Sequence, residues 1–206
     1  MGSGASAARV PGGGRVQQQP EGVAAIELNI SCPNIKEGGI TFGCSLSGTH
    51  DVVKAVRRVT RLPVFPKLTP NVTDVASLAR AAEEAGADAV SLVNTFLAMA
   101  IDIHTRRPKL SNVVGGLSGP AIRPIAVRMV YECRQVVRIP IIGMGGITNA
   151  DDALEFLIAG ATGSGRGQTT KTDCHPDHAL VLPQARPAYW RPFPGRLPLG
   201  RGVAQA

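Results

Sequence analysis

Between Val23 and Thr162, short apolar runs alternate with amphipathic runs at roughly even spacing, and each apolar run ends in polar or glycine residues. The first run spans residues 24–31, with Ala25, Leu28 and Ile30 as its apolar positions. Pro33 ends it, because proline has no N–H and disfavours helix at the residue before it. Val64–Leu68, Ala89–Thr95 and Pro140–Gly146 read as further strands. Asp51–Val59 places Val52, Val56 and Val59 on one helical face. A second helix opens at Asn71, with Thr73 as its cap, and stops at Gly86. Two more are expected over 120–136 and from Asn149 or Ala150 to Ala159. Pro66 is awkward in a central strand. The connection 96–119 exceeds an ordinary loop and reads as a lid or binding loop.

Strands alternating with helices imply a parallel sheet. The expected fold is α/β: about four βα units, half of a (β/α)8 TIM barrel, with a shared site at the carboxyl rim of the strands. Periodicity alone also admits a doubly wound sheet. Three segments follow: a low-complexity flank over 1–22, the barrel portion over 23–162, and a Pro- and Arg-rich tail over 163–206, both flanks expected to be disordered.

Composition narrows the function classes. The chain carries a formal charge of +7, yet residues 23–162 hold 14 Lys and Arg against 12 Asp and Glu, so only +2 belongs to the barrel portion. Without a basic stripe, a nucleic-acid function is not expected. No apolar run is long enough to span a bilayer, and no signal-peptide block is present, so the cytoplasm is the expected compartment. Cys32, Cys44, Cys133 and Cys174 show no zinc spacing and read as reduced thiols. Cys174-His-Pro-Asp-His178 resembles a metal cluster but stands in the tail, and no metal site is assigned to it.

The strand ends carry the candidate chemistry. Cys32 is a candidate base or nucleophile, against the plainer reading of a buried structural thiol. Lys67 ends an apolar strand and needs a partner, either an electron-rich ligand or a rim salt bridge. Asn94 and Thr95 present an amide and a hydroxyl, or simply form a turn. Gly115–Gly119 before a helix and Gly143–Gly146 after a strand let backbone N–H groups approach an anion.

Asn29-Ile-Ser-Cys-Pro-Asn34, Pro66-Lys-Leu-Thr-Pro70, Val93-Asn-Thr95, Gly115-Gly-Leu-Ser-Gly-Pro-Ala121 and Ile141-Ile-Gly-Met-Gly-Gly-Ile147 together resemble class 1 dihydroorotate dehydrogenase, type B, over about residues 23–162. The resemblance implies an FMN-containing barrel that oxidises dihydroorotate to orotate in pyrimidine synthesis. It makes Cys32 the base that removes the C5 proton. It makes Asn29, Asn34, Asn94 and Thr95 the substrate holders, with Asn29 also near the flavin. Lys67, Val93, Gly119, Gly145 and Gly146 become flavin contacts, the last two at the phosphate. It also implies an electron-transfer subunit that carries FAD and an iron–sulfur cluster.

Family members have roughly a hundred residues before the first motif, whereas 22 residues of different texture stand here, so the flanks are expected to be unrelated or frame-shifted. Half a barrel has open strand edges, so the chain as written is expected to bind FMN weakly or not at all and to associate through those edges or as a homo-oligomer. A dihydropyrimidine dehydrogenase-like flavoprotein and a non-catalytic half-barrel are the alternative readings.

Overall fold

The computed structural model describes residues 23–31 and 43–165. Five parallel strands form one sheet: β1 (Ile26–Asn29), β2 (Val64–Lys67), β3 (Val90–Leu92), β8 (Ile141–Met144) and β9 (Gly163–Gly165), side by side in that order. Helices α1 (Leu46–Arg57), α2 (Val75–Glu84), α3 (Arg123–Arg134) and α4 (Ala150–Ala159) connect them. The strand order follows the chain without a reversal. A doubly wound sheet needs a switch point where the order turns back; none occurs among the described strands. Right-handed crossovers that always step the same way put every helix on one face, and each helix packs on the next, α1 on α2, α2 on α3 and α3 on α4. This is the wall of a barrel.

The two faces of the wall differ. Ile26 and Leu28 lie opposite Val64 and Pro66, while Val90 and Leu92 lie opposite Ile141 and Gly143. Leu28, Val90, Leu92 and Ile141 pack in the core with Val53, Leu78, Val130 and Phe156 of the helices. Each such buried aliphatic or aromatic side chain contributes about 1.5–3 kcal/mol. The other face carries Glu27, Asn29, Phe65, Lys67 and Ser91, alternating with the first because strand side chains alternate.

Helix boundaries depend on caps that periodicity does not show. The α1 helix starts before Asp51 because the Ser45 side chain accepts the Gly48 N–H at 3.0 Å. In α2 the cap is Asp74, not Thr73: its carboxylate accepts from Ser77 N–H at 3.0 Å. Gly86, with φ of 93°, ends that helix as expected.

Pro66 is accommodated within β2. Leu68 N–H donates to the Ser91 carbonyl, so Pro66, two residues earlier, is the position without a donor for β3. Pairing between β2 and β3 is correspondingly short, with Lys67 opposite Ser91, and the Asp88 carboxylate takes the Val64 N–H at 2.8 Å.

Connection 96–119 has strands of its own. In it β4 (Phe96–Ala98) pairs antiparallel with β7 (Gly115–Leu117), and β5 (Ile101–Asp102) with β6 (Arg107–Pro108). A second difference lies at the end of the barrel portion. Residues 163–165 read as the start of a tail, yet they form β9, with Ile142 opposite Gly163 and Met144 opposite Gly165. Gly-Ser-Gly carries no apolar alternation, so only the neighbouring strand specifies it. Among the described residues no helix is long and apolar enough to cross a membrane.

Candidate active site

Parallel register brings the carboxyl ends of the strands to one rim. Asn29 ends β1 opposite Lys67, which ends β2. Val93, Asn94 and Thr95 follow β3, and Gly145 and Gly146 follow β8. A cavity of about 210 Å³ opens there, lined by Lys67, Val93, Asn94, Thr95, Gly119, Gly145 and Gly146 among others.

Two asparagines meet across the rim. Asn94 Nδ2 donates to Asn29 Oδ1 at 3.1 Å and to Ser31 Oγ at 2.6 Å. Asn94 Oδ1 accepts the Thr95 N–H at 2.8 Å. Asn94 is thus fixed by both ends of its amide, more than a turn requires. Val93 is anchored by its N–H to Met144 O and Asn94 by its N–H to Leu68 O, each at 3.1 Å. The Leu92–Val93 peptide is cis.

Lys67 has its partner within the protein. Its Nζ donates to Glu27 Oε2 at 3.4 Å, and Ser91 Oγ donates to Glu27 Oε1 at 2.6 Å. Sequence reasoning singled out neither Glu27 nor Ser91. The available signal was spacing: Glu27 stands two residues before Asn29 and so shares its face. Asn71, read as part of a helix start, was also missed as a pin. Its Nδ2 donates to Thr95 O at 3.0 Å and its Oδ1 accepts the Leu97 N–H at 2.9 Å, which fixes the segment after β3 from both sides.

The glycines permit close approach of backbone. Gly145 and Gly146 have φ of 120° and 73°, and Gly119 has φ of 94°, a region that L side chains disfavour. A Cβ on Gly146 would lie 2.7 Å from Gly119 O and 3.1 Å from Arg123 N, so the turn after β8 rests on the turn that starts the 3-10 segment Pro120–Ile122 and α3. Gly143 instead makes room for a buried ring, since a Cβ there would lie 2.5 Å from Phe156 Cδ1. Gly115 and Gly116 belong to β7, where Gly116 lies against the Thr95 side chain.

A sequence profile of the dihydroorotate dehydrogenase family matches residues 15–172, past the 23–162 portion at both ends. The chain belongs to the dihydroorotate dehydrogenase family. Over 140 residues it is 64% identical to "Dihydroorotate dehydrogenase B (NAD(+)), catalytic subunit" of Caldicellulosiruptor saccharolyticus, covering 68% of this chain and 47% of that one. The protein of the same name from Porphyromonas gingivalis is 59% identical over 148 residues, covering 72% and 48%. The chain therefore spans about half the length of the curated relatives it matches. A crystal structure of the Eimeria tenella dihydroorotate dehydrogenase in complex with ferulenol superimposes with a TM-score of 0.56 at 24% identity, over 68% of this chain and 43% of that one. This likeness speaks for the fold, a partial (β/α)8 barrel.

Of the residues expected at a family site, the rim thus gathers Asn29, Lys67, Val93, Asn94, Thr95, Gly119, Gly145 and Gly146. Cys32 and Asn34 lie outside the described residues, as do 1–22 and Cys174–His178. Among the described residues no group of His, Cys, Asp or Glu is placed to hold a metal, and Cys44 and Cys133 are free thiols.

Proposed function

We propose that this chain carries the carboxyl-rim part of a site for flavin-dependent oxidation of dihydroorotate to orotate, in the synthesis of pyrimidines. The observation that supports it most is the convergence, around one cavity, of a cation, an amide that is tied to the Asn29 amide behind it, and a positive-φ glycine pair. The residues fit FMN chemically: the bare backbone at Gly145 and Gly146 lies where side chains would intrude, and Lys67 supplies positive charge beside the same cavity.

FMN, which Lys67 and the backbone at Val93, Gly119, Gly145 and Gly146 would hold, would supply the acceptor for the hydride lost from C6 of dihydroorotate. The chain's residues do the rest. Cys32, as thiolate, takes the proton from C5, so that the C5–C6 single bond becomes a double bond. Asn29, Asn34, Asn94 and Thr95 hold the ring and carboxylate of the substrate by hydrogen bonds. Lys67 would favour negative charge on the flavin. Gly145 and Gly146 hold the phosphate through backbone N–H groups, and Val93 and Gly119 line the same cavity. Dihydroorotate and orotate are the small-molecule partners of this reading. An electron-transfer subunit bearing FAD and an iron–sulfur cluster, a homo-oligomer and a cytoplasmic location complete it.

The test is spectroscopic. Purified chain is mixed with FMN, and a bound-flavin absorbance band that shifts with orotate but not with uracil is the expected result. Bleaching by dihydroorotate in the wild type, lost in Cys32→Ala, assigns the base. A shift with uracil alone favours the dihydropyrimidine dehydrogenase-like alternative, and no bound flavin favours the non-catalytic half-barrel.

A further inference from the structure

We propose that Asp152 is a positioning residue that shapes the phosphate-holding turn without touching the ligand. This rests on the proposed function, in which Gly145 and Gly146 hold the phosphate of FMN.

Asp152 stands in the first turn of α4 and is buried, 3% exposed. Its Oδ2 accepts three donors: Thr148 Oγ at 2.6 Å, Thr148 N–H at 2.8 Å and Asn149 N–H at 3.3 Å. Its Oδ1 accepts Nη1 of Arg123, the first residue of α3. One carboxylate thereby ties the end of the turn after β8 to the start of the helix that follows Gly119. Those are the two backbone segments in contact at Gly146 and Gly119.

The cavity makes this tie consequential. Among the described residues lining it, Lys67 is the charged one, and Arg123 is not among them. Arg123 is drawn to the carboxylates of α4 instead: Nη1 meets Asp152, and Nε lies 3.2 Å from Glu155 Oε2 without a hydrogen bond. It acts as a strut. Thr148 does line the cavity, but its hydroxyl proton is given to Asp152. Anion binding at this end then falls to backbone N–H groups, whose directions depend on two glycines at positive φ. Such a turn has several conformations open to it, and the Asp152 contacts select one.

Asparagine has nearly the same shape but offers one oxygen and one NH₂. Whichever way it turns, a donor faces either Arg123 or the three donors of residues 148 and 149. Asp152→Asn therefore loosens the turn while α4 keeps its Asn149 cap.

The experiment titrates FMN and riboflavin, which differ by the phosphate, into the chain of residues 1–206 and reads flavin fluorescence. The wild type is expected to prefer FMN. Asp152→Asn is expected to weaken FMN binding about tenfold, the loss of one charge-assisted contact network, with riboflavin affinity unchanged. Thr148→Val, which removes one donor and leaves the Arg123 pair, is expected to lose part of the preference, and Thr148→Ser to keep it. These two serve if Asp152→Asn fails to fold. A wild type that does not distinguish the two flavins overturns the phosphate reading and this proposal with it. A wild type that does, beside Asp152→Asn and Thr148→Val with the same preference, overturns the role of Asp152 alone.

Discussion

Lys67 and Glu27, on neighbouring strands, form an ion pair on the inner face of the barrel wall, Nζ to Oε2 at 3.4 Å, with Ser91 Oγ holding the other oxygen at 2.6 Å. The pair is partly exposed, with side-chain accessibilities of 21% and 33%. Its contribution to stability is therefore below about 1 kcal/mol. Its functional weight is the charge it leaves on the rim: the carboxylate partly offsets the ammonium beside the cavity. Glu27→Gln removes that offset and is expected to raise the midpoint potential of bound flavin by about 20 mV, from an interaction of about 1 kcal/mol on a two-electron couple. Lys67→Met is expected to lower it. Redox titration of the reconstituted variants checks both signs.

Gly143 and Phe156 share one volume. A Cβ at 143 would lie 2.5 Å from the ring of Phe156, which is fully buried. Gly143→Ala is expected to destabilise the fold by about 1–3 kcal/mol through overpacking. Phe156→Ala is expected to lose about 3–5 kcal/mol through the cavity it leaves. Gly143→Ala combined with Phe156→Leu is expected to lose less than the sum of the single changes, because the smaller side chain relieves the overlap. Urea denaturation of the wild type, Gly143→Ala, Phe156→Leu and the double variant measures the coupling.

Acid is expected to unfold the chain through its capping carboxylates. Hydrogen bonds from the Thr148 hydroxyl and N–H, with help from Arg123, hold the Asp152 carboxyl well below the usual range. Hydrogen bonds from Ser77 lower that of Asp74. Both have folded values below the unfolded value of about 4. The stability they contribute is present above that pH and is lost as pH falls through the folded values. Denaturation midpoints of the wild type are expected to stay level from neutral pH to about pH 5 and to fall progressively below it. Asp152→Asn and Asp74→Asn are expected to show a shallower fall from a lower starting point.

The two described thiols differ in access. Burial pushes the Cys133 thiol up to about 12, and the residue has no exposed surface, whereas Cys44 is exposed. Thiolate is the reactive form. Iodoacetamide at about pH 8 is expected to label Cys44 in the folded chain and Cys133 only after denaturant is added. Peptide mapping by mass spectrometry reads the order.

The alternation of apolar and amphipathic runs by itself determined four βα units and a parallel sheet, since period and turn residues are local properties. It also placed Asn29, Lys67, Asn94 and the Gly145–Gly146 pair at strand ends, because polar residues directly after an apolar run have few other places to stand. Helix starts were less legible: Ser45 and Asp74 act as caps through one hydrogen bond each, and several nearby residues offered an equal signal. Only the tertiary structure decided the rest. Strand order, which separates a barrel wall from a doubly wound sheet, is a relation between segments far apart in the chain. So is β9, whose Gly-Ser-Gly becomes a strand only beside β8. The partners of the charged side chains belong here too. Glu27 meets Lys67 across forty residues and Arg123 meets Asp152 across twenty-nine. An electrostatic contact depends on distance in space, which the local pattern of a sequence does not encode.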